Sequence, residues 1–445
     1  MPSRASRELL WLLVSGVSAV SRVRTALDAA HASQGSLNMF TSLDDERAIA
    51  RAHLIDEAAD GGEPGPLAGM PIGLKDLIDH EERTTTAGSA FYRKQATTSA
   101  SVVTRLEAAG AIVIGRTGLH EFAFGFSSEN PHFGAVRNPW DPGTSPGGSS
   151  GGSAAAVGAA ITPVSIGTDT GGSVRVPAAL CGCLGLKVTH GRVPLDGVFP
   201  LALSIDTVGP LADSMAHLDA AYRAMSADTS EEPISAGLRL GIPQPWLDRA
   251  PIEEGVASAF ASVSEKLGDL GHVVTPIELP DVFPAPELIH AIAAEINDVH
   301  RDFRAQGLPY GEDVAKRLDD CAAVTPEQME SGRAWQLMIR RRFSKAFEDV
   351  DLLITPTCPA MRKEIGKDTI GAHHYRSVLS WFTALVNHSL HPAIALPLLD
   401  TGDPPVSLQA IGSPGSETGL IAFGRSLERA GLVGFTPAPL GLSNA

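Results

Sequence analysis

The chain has 445 residues, of which 43% are hydrophobic and 19% charged, a composition that excludes a disordered protein. Lys and Arg number 35 against 51 Asp and Glu, and the net charge of −16 argues against a protein that binds nucleic acid on its own. Four cysteines are too few for a disulfide framework, and no apolar run of about 18 residues predicts a membrane span, so we expect a cytoplasmic protein.

The N-terminal part contains an apolar run at 9–20, LLWLLVSGVSAV, which follows two arginines and could be the core of a signal peptide. The run continues, however, into a helical pattern with apolar residues on one side and polar residues on the other. The apolar side carries Val20, Val23, Leu27 and Ala30. We therefore predict helices over residues 1–60, ending at a Gly/Pro-rich turn at 61–66, rather than a cleaved signal.

Residues 67–212 alternate short apolar runs with helical stretches, which is typical of a central β-sheet covered by helices on both faces. We therefore expect an α/β fold. Strands are predicted within 70–78, 111–117, 161–168, 239–243, 273–279, 350–357 and 393–397. No repeat and no low-complexity linker divides the chain, so we predict a single domain over 1–445, with a more polar helical region at 213–345.

A dense run of glycine and serine, SPGGSSGGSAAAVGAA at 145–160, allows four interpretations. A phosphate-binding loop would need a lysine after its last glycine, where this chain has Ser153. A flexible linker is the second, although Ser153 would cap a helix that begins at once. The run also contains the nucleophile-elbow pattern Gly147-x-Ser149-x-Gly151, but the three prolines before it do not predict the strand that an elbow requires. The fourth is a tight loop that holds a serine hydroxyl beside another reacting group.

A second serine, Ser173, lies where the strand-like ITPVSIG at 161–167 runs into TDTGGSVRVPAALCG at 168–182. This segment has the strand–turn–helix order that is missing before Ser149. The backbone N–H groups of its turn can converge on one point and bind the oxyanion of a tetrahedral intermediate. The turn comprises Thr170, Gly171, Gly172 and Ser173. The alternative is a glycine-rich turn in which Ser173 only caps the helix.

One lysine, Lys75, lies in the apolar sequence MPIGLKDLI between Leu74 and Leu77. Lysine is rarely buried unless it is paired or functional. Burial lowers the pKa of a lysine, and a neutral amine can act as a base near pH 7. The alternative is a lysine on an edge strand that pairs with Asp76. Under the first interpretation, Lys75 and two serine hydroxyls could form a proton relay.

Three segments occur in a fixed order: GLKD at 73–76, PGGSSGGSAAAV at 146–157 and GTDTGGSVRVPAALCGCLGLK at 167–187. Together with the flanking stretch 118–143 they resemble the amidase signature family, over a core at 67–212. The long ordered combination is far more specific than a single short motif. The resemblance implies the amidase signature fold, with a mixed central sheet, and an enzyme that hydrolyses a carboxamide or urea-like C–N bond.

The resemblance also implies roles for residues at matching positions. Lys75 matches the general base, Ser149 the bridging serine after a cis peptide bond, and Ser173 the nucleophile that forms an acyl-enzyme. The matching oxyanion-binding positions are Thr170, Gly171 and Gly172. The supporting positions are Ser150, Asp169 and Arg175, which we interpret as holding the loops in place. The implied machinery uses no cofactor and no metal.

Two hypotheses stay open within this family: a free amidase, and the glutamine-hydrolysing component of a tRNA-dependent amidotransferase. That component commonly carries Asp-Glu-Phe-Ala-Met-Gly, where this chain has HEFAFG at 120–125, and an Arg-Arg-x-x-Leu-Gly-Thr segment that 320–345 lacks. We therefore favour the free amidase, with a small-molecule amide as its partner and a homodimer as the assembly considered. Two further hypotheses are a non-catalytic binding protein and a serine hydrolase that uses His and Asp instead of Lys75.

The remaining groups lie outside the relay. The pocket walls are predicted within 118–130, 280–345 and 370–392. Four histidines are predicted on a pocket rim or the surface: His373, His374, His388 and His391. The cysteines Cys181 and Cys183 lack a second ligand pair for zinc, and the cations Arg340, Arg341 and Arg342 are interpreted as a solvated face, with an acidic substrate as the alternative. The aromatic residues Phe122, Phe124 and Phe126 fit either an acyl pocket or a core.

Overall fold

The computed structural model describes residues 17–59, 65–231, 236–279 and 285–439. Most of the apolar run predicted at 9–20 and most of the turn predicted at 61–66 lie outside the described residues. The first described helix follows Ser18, whose hydroxyl accepts a hydrogen bond from the Ser21 N–H and caps it. Within the four described ranges, no helix combines the length and the apolar composition that crossing a bilayer requires.

The strands and helices of the described residues are numbered here in chain order. The strands are β1 (Phe40–Leu43), β2 (Pro71–Lys75), β3 (Thr84–Thr85), β4 (Lys94–Gln95), β5 (Ile112–Thr117), β6 (Glu129–Asn130), β7 (Gly134–Ala135), β8 (Val164–Asp169), β9 (Leu184–Lys187), β10 (Thr207–Ala212), β11 (Arg239–Pro243), β12 (Val273–Ile277), β13 (Leu352–Pro356), β14 (Thr369–Ile370), β15 (His373–His374), β16 (Ala393–Pro397) and β17 (Ser407–Ile411). The helices are α1 (Ala19–Leu37), α2 (Asp45–Ala59), α3 (Ser101–Ala108), α4 (Gly151–Gly158), α5 (Arg175–Cys181), α6 (Met215–Ser226), α7 (Gln244–Arg249), α8 (Glu254–Asp269), α9 (Glu287–His290), α10 (Ala293–Ala305), α11 (Glu312–Ala322), α12 (Pro326–Asp349), α13 (Tyr375–Leu379), α14 (Ala384–His388) and α15 (Glu417–Arg429).

Eleven of the strands form one sheet in the order β1-β5-β2-β8-β10-β9-β16-β17-β13-β11-β12. Strand β2 pairs in parallel with both β5 and β8, and β11 pairs in parallel with β12 and β13. The other neighbours in the sheet are antiparallel, for example β8 with β10 and β16 with β17. The sheet is therefore mixed, as the resemblance implies.

Helices cover both faces of this sheet, which confirms the predicted α/β class. In β5, Ile112 and Ile114 belong to one hydrophobic cluster and Val113 to another, because successive side chains of a strand point to opposite faces. Helices α1 and α4 pack into the first cluster, and α3, α6 and α15 into the second. The extent of the domain, 1–445, stays a prediction.

All seven predicted strand segments contain strands, but the expectation of helices throughout 1–60 is wrong. Strand β1 lies between α1 and α2 and pairs with β5 at the edge of the sheet. Four residues with one fully buried side chain give too weak a pattern to be recognised in a helical context. The sequence also did not predict β9, β10 and β17, which follow glycine-rich or proline-rich stretches.

Candidate active site

Lys75 is the last residue of β2, and its side chain is completely buried. Its Nζ atom lies 2.7 Å from Ser149 Oγ, 2.9 Å from Ser150 Oγ and 2.7 Å from Thr168 Oγ1. Because β2 and β8 are parallel neighbours, their carboxyl ends meet at one edge of the sheet, and this brings Lys75 to Thr168. Three hydroxyls therefore surround one buried amine.

The environment of Lys75 favours the uncharged amine. Burial lowers the pKa of Lys75 to about 7, and the carboxylates of Asp169 and Asp206 oppose that shift only in part. About half of the amine is therefore neutral at pH 7 and able to accept a proton.

The alternative interpretation of Lys75, an edge-strand residue paired with Asp76, is wrong. Strand β2 lies inside the sheet, between β5 and β8. The carboxylate of Asp76 instead accepts hydrogen bonds from the Arg116 guanidinium at 3.3 Å and from the Thr86 N–H at 3.2 Å.

Ser149 lies in a tight loop, as the fourth interpretation of the glycine–serine run expected. The Gly148–Ser149 peptide bond is cis, as the resemblance implies, and Gly147 has a φ of +80°. A Cβ on Gly152 would lie 2.4 Å from the backbone N of Gly118, so only glycine allows this approach of two backbones.

The predicted helix cap at Ser153 is wrong. Helix α4 begins at Gly151, so Ser153 lies inside its first turn, and its hydroxyl donates to the Ile166 carbonyl at 3.0 Å. This bond ties the loop to the neighbouring strand β8.

Ser173 lies in the turn between β8 and α5, the strand–turn–helix context that the sequence predicted. Its backbone carbonyl accepts a hydrogen bond from the Ser150 N–H at 3.2 Å, which fixes the two serine loops against each other. Helix α5 begins at Arg175 without a side-chain cap, so the interpretation of Ser173 as a helix cap is wrong. Among the described residues no hydrogen bond joins the hydroxyls of Ser149 and Ser173, and such contacts are often long without a bound substrate.

The turn amides divide into two groups. The Gly172 N–H donates to Asp169 Oδ1 at 2.8 Å and is therefore engaged. The N–H groups of Gly171 and Ser173 have no acceptor within the described part of the chain. Thr170 and Gly171 line the same cavity as Ser173, whereas Gly172 does not. The oxyanion-binding role stays a prediction for all of them.

Asp169 and Arg175 form a completely buried ion pair at 2.9 Å beneath this turn. Burial raises the pKa of Asp169, but the Arg175 guanidinium, Lys187 and Asn387 together hold it well below its usual value. Arg175 also donates to Asn387 Oδ1 at 2.6 Å and to Gln409 Oε1 at 2.8 Å. The pair thus joins the Ser173 turn to α14 and β17, which agrees with a loop-holding role.

Thr168 and Asp206 are site residues that the sequence reasoning missed. Thr168 contacts Lys75, and the Asp206 carboxylate accepts a hydrogen bond from the Thr170 hydroxyl at 2.6 Å. Burial raises the pKa of Asp206 despite this bond and two more from backbone N–H groups. Thr168 could have been found, since it lies in the glycine-rich segment two residues before Thr170. Asp206 gave no signal, because its contact depends on the pairing of β10 with β8.

A cavity of about 460 Å³ opens beside Ser173. Its other lining residues fall mainly in the three predicted wall segments: Ala123, Phe124, Gly125, Phe126, Ala285, Pro286, Leu288, Ile289, Ile292, Arg317, Asp320, Cys321, Arg376, Ser377, Ser380, Ala384 and His388. Phe122 does not line it, because its ring is buried among aromatic neighbours such as Phe91 and Phe199. The three alternating phenylalanines therefore divide between a pocket wall and the core.

The histidines also divide. His373 and His374 are exposed and His388 lines the cavity, but His391 is buried with its ring stacked on Phe347 at 5.1 Å, so its predicted surface position is wrong. Arg340 is partly buried and donates to the His388 carbonyl at 3.2 Å, whereas Arg341 is exposed.

Burial raises the pKa of both Cys181 and Cys183. Among the residues that the structure describes, no group of three or more His, Cys, Asp or Glu side chains could hold a metal ion.

Known proteins resemble this chain in both sequence and fold. The family model "Amidase" matches residues 21–421. The GatA-type component of the glutamyl-tRNA(Gln) amidotransferase of Chloroflexus aurantiacus is 34% identical over 470 residues, 94% of each chain. The AtzE component of the 1-carboxybiuret hydrolase of Pseudomonas sp. strain ADP is 34% identical over 453 residues, 96% of this chain and 98% of that one.

The solved structures agree with these relatives. A structure described as an amidase superposes with a TM-score of 0.88 at 30% identity, covering 96% of this chain and 98% of the other. A complex described as revealing the evolutionary origins of an s-triazine catabolic enzyme gives a TM-score of 0.87 at 33% identity, over 97% and 99%. The chain belongs to the amidase signature family.

Proposed function

We propose that the chain is an amidase that hydrolyses a carboxamide or urea-like C–N bond to a carboxylate and ammonia or an amine. The observation that carries this proposal is the buried Lys75 amine with a pKa of about 7, 2.7 Å from Ser149 Oγ, beside a cavity lined by Ser173. A neutral amine next to a chain of hydroxyls is a base that can activate a serine nucleophile.

The proposed mechanism moves one proton through Ser149. Neutral Lys75 takes the Ser149 proton while Ser149 takes the proton of Ser173, and Ser173 Oγ attacks the amide carbonyl carbon. The free N–H groups of Gly171 and Ser173 stabilise the oxyanion. The C–N bond then breaks, and the leaving nitrogen receives the proton back through Ser149. Water, activated by the same relay, releases the carboxylate from the Ser173 ester.

A second candidate is the glutamine-hydrolysing component of a tRNA-dependent amidotransferase. The name of the Chloroflexus aurantiacus relative supports it, and the name of the Pseudomonas relative, a 1-carboxybiuret hydrolase, supports a hydrolase of a urea-like compound. Both are 34% identical to this chain, so the degree of identity does not separate them. We keep the amidase as the first proposal because the HEFAFG segment departs from the usual pattern of the amidotransferase component.

Ammonia release from the purified chain tests this choice, on a panel of carboxamides, ureas and glutamine. We expect hydrolysis of an amide or urea by the chain alone, with the Ser173→Ala variant as the inactive control. Glutamine hydrolysis that requires added partner proteins and charged tRNA would reverse the choice. The mass of the chain in solution shows whether it is the homodimer we propose. Four free, buried cysteines support the cytoplasm as its compartment.

The activity is expected to depend on pH through Lys75. Only the neutral amine accepts the Ser149 proton, and burial holds the pKa of Lys75 near 7. The value of kcat/KM should therefore fall about tenfold per pH unit below pH 7 and level off above it. The check is a pH series of kcat/KM on a substrate that does not itself titrate. A flat profile from pH 5 to 8 would contradict the relay.

A further inference from the structure

Arg317, on helix α11, lines the same cavity as Ser173. Its Nε and NH1 atoms are shielded from solvent, and neither has a hydrogen-bond partner within the described residues. A shielded guanidinium without partners is costly, because it has lost water without gaining an acceptor. The geometry of the site thus leaves two donors of one side chain ready for a ligand.

The carboxylates near Arg317 are engaged with other cations. Asp313, one turn earlier on α11, pairs with Arg376 at 2.6 Å and with His120 at 3.2 Å. Asp320, which also lines the cavity, pairs with Lys316 at 2.9 Å. Two carboxylates thus face the cations of Lys316, Arg317 and Arg376, so this wall carries one uncompensated positive charge.

The guanidinium of Arg317 is held in position by a ring. Its Cζ lies 4.0 Å from the centroid of the Phe124 ring, which also lines the cavity. Burial, and then the nearby Arg376, lower the pKa of Arg317 to about 10, so the side chain keeps its charge at neutral pH. A fixed, charged and planar group in a substrate cavity is suited to bind one planar anion in a defined orientation.

We propose that Arg317 binds a carboxylate on the acyl part of the amide substrate, so that the enzyme acts on amides that carry a second, anionic group. This inference rests on the proposed amidase function, since the other end of the cavity holds Ser173. A guanidinium can donate two parallel hydrogen bonds to a carboxylate, and this pairing fixes direction as well as charge. Arg317 is then a specificity-determining residue and takes no part in the proton relay.

Matched pairs of amides test this proposal: succinamate with butyramide, and glutaramate with valeramide. The members of each pair differ only in a terminal carboxylate in place of a methyl group. The wild type is expected to prefer the carboxylated member. In Arg317→Met, KM for the carboxylated member should rise by about 10- to 100-fold, the loss expected for hydrogen bonds to a charged group, with kcat and the neutral amides little changed.

Two further variants serve as controls. Arg341→Met removes the same type of charge from an exposed position outside the cavity, and its kinetic constants should match those of the wild type. Arg317→Lys keeps the charge without the planar fork, and an intermediate KM is expected. Equal losses on both members of each pair in the Arg317 variants, or no loss on either, would overturn the proposal.

Calorimetric titration with succinate and glutarate measures the anion site without turnover. We expect the wild type and Arg341→Met to bind at least one of these dicarboxylates, and Arg317→Met to lose it. That result would support the anion site even in a chain that hydrolyses no amide, an outcome that counts against the proposed function alone. Absence of both dicarboxylate binding and carboxylate preference in the wild type would overturn the inference.

Discussion

Replacing Ser173 with alanine is expected to lower kcat by about 10³-fold or more, because the variant lacks the oxygen that forms the acyl-enzyme. The side chain is small and only 4% exposed, so the fold should tolerate the loss of one hydroxyl. Ammonia release measures the rate. Trapping with hydroxylamine should yield an acyl-hydroxamate from the wild type and none from the variant.

The matched control for this prediction is Ser344→Ala. Ser344 is an exposed serine on α12 whose hydroxyl donates to the Arg340 carbonyl within its own helix, so kcat should stay at the wild-type level. Wild-type turnover in Ser173→Ala would refute the nucleophile. A serine hydrolase of the elbow type instead requires Ser149 as its nucleophile and tolerates the loss of Lys75.

Replacing Lys75 with methionine is expected to lower kcat by about 10²- to 10⁴-fold at pH 7, the usual contribution of a general base. The physical reason is that no other amine contacts the Ser149 hydroxyl in the described residues. The measurement is kcat on the best amide of the panel, together with the pH series. An unchanged kcat at neutral pH would remove the relay from the mechanism.

Lys187 offers a control of the same residue type in a similar environment. It is also completely buried, and burial, followed by the charge of Arg175, lowers its pKa to about 7. Its ammonium donates, however, to the Val188 carbonyl at 3.0 Å and to the His391 carbonyl at 2.8 Å, away from Ser149. We expect Lys187→Met to lower the free energy of unfolding while kcat of the folded fraction is retained.

This pair of lysines separates a catalytic effect from a general effect of burial. If both variants lose turnover equally while folded, the special role of Lys75 is contradicted. If only Lys75→Met loses turnover, the hydroxyl contacts of Lys75, and not its burial, explain the difference.

The parts of the site that the sequence predicted are those that short segments carry. Lys75, Ser149 and Ser173 each lie in a segment whose residue types are unusual for a surface loop, and the structure brings Lys75 and Ser149 into contact and seats the Ser173 loop against theirs. Asn387 and Gln409 could not be found in this way. Both contact Arg175 from more than 200 positions further along the chain, on elements whose approach depends on the order of strands in the sheet.

By itself, the sequence determined the α/β class, the buried lysine and the two serine loops, because apolar periodicity and glycine-rich turns are local properties. Only the tertiary structure decided that β2 is an interior strand, which moved Asp76 away from Lys75 and towards Arg116. It also decided which cations are paired: Arg376 meets Asp313, and the adjacent Arg317 guanidinium faces the cavity without a carboxylate. The reason is physical, since the strength of a charge depends on its distance from other charges and from water.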